Sequence, residues 1–130
     1  MSRFVADFIG ETNFIEGTIT DVGRVSIADG AVVYARTDAP SGTEVTLTLR
    51  PEKISIHARD AAEIDAQRNR LPGEITRRLY YGESIYYEIE LAGGTLVDAR
   101  HENIPSLHRW DVGDAVTISF HRESAEALVS

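Results

Sequence analysis

Apolar and polar residues alternate with a period of two along much of the chain. Val45, Leu47 and Leu49 are interleaved with Thr46 and Thr48. Ile85, Tyr87, Ile89 and Leu91 share one side of a run whose other side carries Tyr86, Glu88 and Glu90. A third set, Val116, Ile118 and Phe120, repeats the spacing. Side chains of a strand alternate between its faces, so these ten apolar residues are predicted to point into a core. Asp29-Gly30 and Gly93-Gly94 fall between β-rich runs and predict hairpin turns. Pro51 cannot donate to a ladder, so the strand over 45–49 must end or bend at Arg50-Pro51-Glu52. Helix is predicted at one place, residues 2–11, where Phe4, Val5, Phe8 and Ile9 fall on one face before Gly10. The Ala- and charge-rich stretch 58–68 reads as a solvated linker.

The two sides of that linker resemble each other. Asn13, Gly17 and Ile19 recur as Asn69, Gly73 and Ile75 at the same spacing. Gly42-Thr43-Glu44-Val45 recurs as Gly113-Asp114-Ala115-Val116, and each closing strand ends in charge, Arg50-Pro51-Glu52 against His121-Arg122-Glu123. The shared order points to a degenerate duplication with halves 13–57 and 69–130. Two repeats are too few for a solenoid and suit a small all-β barrel.

Composition narrows the function. At 130 residues the chain fits one domain with its own core. No run of eighteen apolar residues is present, and the first residues lack the basic start of a signal peptide. Without cysteine, disulfides and thiolate catalysis are excluded. A net charge of −8 is the wrong field for phosphate backbones and argues against nucleic acid. Twelve of the thirteen cations are arginine, and Lys53 is the single lysine.

Four stretches in order carry a family resemblance: residues 4–10, Asn13 opening the barrel, Arg50-Pro51-Glu52, and Leu79-Tyr80-Tyr81-Gly82. The chain resembles the C-terminal transport-associated OB-like (TOBE) domain of bacterial ABC importer ATP-binding subunits, in the branch that includes polyamine, iron and sugar importers. Tyr81 stands where leucine is commoner. The resemblance implies an all-β OB-like barrel of two degenerate repeats over 13–130. It makes residues 1–12 the tail of a nucleotide-binding domain. It implies a non-catalytic accessory and regulatory role, with ATP and Mg2+ handled by the parent subunit. The implied partners are that nucleotide-binding domain, a second copy in a homodimer and, indirectly, the permease subunits. The implied location is cytoplasmic, peripheral to the inner membrane. No G-x-x-x-x-G-K-[ST] loop occurs here, so this chain is expected not to hydrolyse ATP. The alternative reading is a free-standing OB-like small-ligand module.

Arg50, Pro51 and Glu52 form a structural corner or a subunit contact, and Phe4, Phe8 and Trp110 are interface or plug residues. Tyr81, Glu83, Tyr86, Glu88 and Glu90 combine aromatic faces with carboxylates, a set able to hold an alkyl ammonium; the plainer reading is a solvated strand face. His57, His101, His108 and His121 have no structural-zinc spacing, and Ser106 near His108 lacks a nucleophile elbow, so no metal or catalytic role is assigned.

Overall fold

Residues 12–129 are described by the structure, a computed structural model. The helical segment expected over residues 2–11, with Phe4 and Phe8, lies outside them. Among the described residues the chain forms ten strands: β1 (Asn13–Asp21), β2 (Arg24–Ser26), β3 (Val32–Tyr34), β4 (Glu44–Leu49), β5 (Ser55–Ala58), β6 (Arg68–Tyr81), β7 (Ser84–Leu91), β8 (Leu96–Glu102), β9 (Ala115–His121) and β10 (Glu126–Val129). They make two five-stranded sheets, ordered β10-β4-β1-β2-β3 and β5-β9-β6-β7-β8, with antiparallel pairing throughout. The fold is all-β and OB-like.

The duplication is written into the ladders. Asn13 pairs with Leu49 and Gly17 with Val45 in the first sheet, as Asn69 pairs with Phe120 and Gly73 with Val116 in the second. A bulge follows at Ile19 in β1 and at Ile75 in β6. Neither sheet is built from one half alone. β5 leaves the first half to pair with β9, and β10 leaves the second half to pair with β4. The halves exchange their last strands, so neither sheet is complete without the other half.

All ten residues predicted to face inward are buried, none more than 4% exposed. They join both sheets in one apolar cluster, and each large side chain contributes roughly 1.5–3 kcal/mol by leaving water. Asp29-Gly30 does join β2 to β3, through a short 3-10 turn over Ala28–Gly30. Gly93-Gly94 joins β7 to β8, both glycines with φ near +90°. Pro72 lies inside β6, next to β9 but before the ladder with β7 begins at Gly73, so that side of the strand is open there.

The second half is longer in two places. Its first hairpin runs over 73–89 where the first half needs 17–25, and its closing connection runs over 98–113 where the first half needs 34–42. These additions carry the exposed Leu79, Tyr80 and Tyr81 at the hairpin end and Ile104, Leu107 and Val112 in the loop.

Candidate functional site at the strand-exchange corners

The repeat residues tie the two sheets together and let neighbouring strands approach. Asn13 Nδ2 donates to the Asp98 carbonyl at 2.9 Å and its Oδ1 accepts the Asp98 N–H at 2.7 Å, tying β1 to β8 of the other sheet. Asn69 does the same to Tyr34 on β3, at 2.9 and 2.7 Å. A side-chain amide satisfies one donor and one acceptor at once, which no apolar residue could do. Gly17 and Gly73 let strands approach closely. A Cβ on Gly17 would sit 2.5 Å from Val25 Cγ1 and 2.8 Å from the Ser26 carbonyl, and one on Gly73 2.6 Å from Ile89 Cγ2.

Arg50-Pro51-Glu52 is the first exchange corner. Pro51 is buried and opens a 3-10 turn over Pro51–Lys53, where its missing N–H leaves nothing unpaired. The turn redirects the chain from β4 into β5, and Ile54 behind it is buried. Glu52 reaches Arg100 of β8 only at 4.0 Å, with both side chains half-exposed, so the pair adds little. The second corner, Arg122–Ser124, sends β9 into β10. The Arg122 guanidinium lies 3.7 Å from the Tyr34 ring centre, and its main chain and head also hold the linker at Gln67 and Ala66.

Between the corners lies an open groove of about 530 Å³, lined in part by Phe14, Arg36, Arg50, Lys53, His121 and Ser124. Of these residues the sequence marks Arg50 as a candidate contact, Lys53 only as the single lysine and His121 only as a strand-end charge without zinc spacing, while Arg36 carries no local signal. The groove is assembled from β1, β4, β10, both corners and the segment after β3, and no local pattern marks that.

Trp110 packs against the core edge, its N–H donating to the Tyr87 hydroxyl at 3.1 Å and its carbonyl accepting from Arg78 at 2.8 Å. Arg78 also pairs with Asp111 at 2.8 Å, and that hydrogen bond holds its guanidinium pKa above the usual arginine value.

The acidic and aromatic set spans the end of β6 (Tyr81), the turn (Glu83) and β7 (Tyr86, Glu88, Glu90), and it is not one solvated face. Tyr86 and Glu88 are buried at 5% and 6% exposure, beside the buried Asp98 on β8, and Thr76 Oγ1 donates to Glu88 at 2.9 Å. Tyr81, Glu83 and Glu90 are exposed. Glu83 and Glu90 are about 23 Å apart along an extended chain. The five do not converge on one ligand-sized site. On the same side of β7, Tyr86 and Glu88 are buried at the middle of the strand while Glu90 near its end is exposed, a difference that alternation does not register.

The histidines have separate surroundings. His57 meets the buried Ser119 hydroxyl at 2.7 Å; burial and then Arg68 and Arg70 lower its pKa. His101 Nε2 donates to the Ile54 carbonyl at 3.2 Å, and burial lowers its pKa. His108 stacks edge-on against Trp110 with ring centres 4.3 Å apart. Among the described residues no three His, Cys, Asp or Glu side chains gather as a metal ion needs, and no helix is long and apolar enough to cross a membrane.

Against known proteins, residues 47–128 match the TOBE domain family. The spermidine/putrescine import ATP-binding protein of Ruegeria pomeroyi is 35% identical over 97% of this chain and 34% of that protein. Its counterpart in Pseudomonas fluorescens is 35% identical over 98% of this chain and 35% of that protein. The chain thus spans about a third of the length of these relatives. The cytoplasmic molybdate-binding protein ModG, solved with molybdate bound, superposes with a TM-score of 0.81 over 91% of this chain and 96% of its own, at 14% identity, a likeness of fold alone. With a family match over most of its β core and relatives at 35% identity along nearly its whole length, the chain belongs to the TOBE domain family.

Proposed function

We propose that the chain is the non-catalytic accessory domain of an ABC importer ATPase subunit serving polyamine uptake, where it holds two subunits together and regulates them. One observation carries the reading: identity of 35% along 97% of the chain to a spermidine/putrescine import ATP-binding protein. In this account ATP and Mg2+ act in the nucleotide-binding part of the parent subunit, at the cytoplasmic side of the inner membrane, and the permease subunits are indirect partners. The second half's added surface supports contact with a neighbour. Leu79, Tyr80 and Tyr81 and the loop residues Ile104, Leu107 and Val112 are exposed, and the first half, which folds on the same plan, does without them. The edge strand β10, with Leu128 and Val129 exposed, supports pairing with a second copy.

Sedimentation of the purified chain at several concentrations and salt levels tests the subunit-pairing role. A two-fold dimer that tightens as salt screens the charge of −8 is expected. A strict monomer at high concentration would remove dimerisation from the account. Magnesium-dependent ATP hydrolysis by the purified chain would remove the non-catalytic reading.

A further inference from the structure

We infer that the groove between the two exchange corners binds a compact, multiply charged oxyanion of the phosphate-ester class. Arg36, Arg50 and Lys53 line it, and among the described residues none of the three side chains holds a hydrogen bond or an ion pair. Glu123 and Glu126 line the same groove without pairing with them. In a chain with 21 acids against 13 cations, a groove lined by three cations and two carboxylates, positive in balance, runs against the overall charge. Lys53 is also the only lysine in the sequence.

The chemistry around the cations suits an oxyanion. Guanidinium forks match the tetrahedral oxygens of phosphate, and an ammonium adds a point charge. Thr12, Thr48 and Ser124 contribute hydroxyls to the lining. His121 Nδ1 accepts the Glu123 N–H at 3.1 Å, so its neutral ring carries the proton on Nε2, a further donor. Phe14, 60% exposed, gives the organic part of an ester an apolar wall. The volume of about 530 Å³ lies in the range of small-ligand sites and exceeds what a bare ion fills. Glu123 and Glu126 bias the site against a ligand that is anionic along its whole length. The site goes beyond the accessory role and does not depend on it, since it is built within one copy.

The test is titration of the 130-residue chain with inorganic pyrophosphate, followed by amide chemical shifts, with the double variant Arg50→Gln/Lys53→Gln beside it. Saturable shifts confined to the corners, at Arg50, Lys53 and Ser124, are expected, with affinity lowered about tenfold or more in the variant. Arg77→Gln/Arg109→Gln removes the same charge elsewhere and is expected to leave affinity unchanged. Matching thermal melts establish that both variants are folded. Shifts that never saturate, shifts spread over arginines across the surface, or equal losses in both variants would overturn the site.

Discussion

At the scale of the residue, the two asparagines tie one sheet to the other. Each closes a donor and an acceptor of the opposite sheet in a buried place, so removing either strands two backbone groups. Asn13→Ala and Asn69→Ala are each expected to lower stability by about 2–4 kcal/mol in urea unfolding, while Glu16→Ala on the exposed face of β1 changes it little. The sequence displayed both asparagines as matching repeat positions, and the two glycines with them. What it could not display was the partner, because Asp98 is far along the chain and is met through its main chain. His101 makes the second prediction at this scale. Burial lowers its pKa, so the folded state takes up its proton less readily than the unfolded chain does. Stability that is present above the ordinary histidine value of about 6.5 is therefore lost as pH falls through the lowered one. His57, shifted in the same direction, adds to the trend. Urea midpoints measured downward from neutral pH are expected to fall, and to fall less in His101→Gln, which keeps a donor for the Ile54 carbonyl.

At the scale of the element, long alternating strands were legible and short exchanged ones were not. β4, β7 and β9 carry enough apolar residues at period two to declare both type and face. β5 and β10 have four residues each, after a break at a charged corner, and their pairing depends on the other half. Pro51 signalled that a strand stops; where the chain goes next is decided by the open edge of β9. The acidic residues of β7 misled for a related reason: alternation assigns a face, but whether that face meets water depends on what lies over it. The exchange makes its own prediction. Deleting residues 126–130 removes a four-pair ladder from β4 and opens its edge. Hydrogen exchange is expected to show β4 amides losing protection while β6 and β7 keep theirs; unchanged protection in β4 would mean that β10 is not part of the cooperative unit.

At the scale of the whole molecule, four short motifs in the right order were enough to place the family, and the duplication was enough to place the barrel. The groove between the corners was not visible, since it is assembled from two corners, three strands and the segment after β3, distant from one another in sequence. The fifteen extra residues of the second half were countable, and the structure turns them into a projecting hairpin and loop with exposed tyrosine and aliphatic side chains. Those additions are where the second half departs from the plan of the first, and under the proposed function they serve contact with a neighbouring subunit. The most direct test of the central claim is transport. The matching region of the Ruegeria pomeroyi spermidine/putrescine import ATP-binding protein would be replaced by this chain, and spermidine uptake measured beside the parent and a deletion of the same region. Uptake near the parental level in the chimera, and loss in the deletion, is the predicted result. A folded chimera that hydrolyses ATP yet takes up spermidine no better than the deletion would contradict the account.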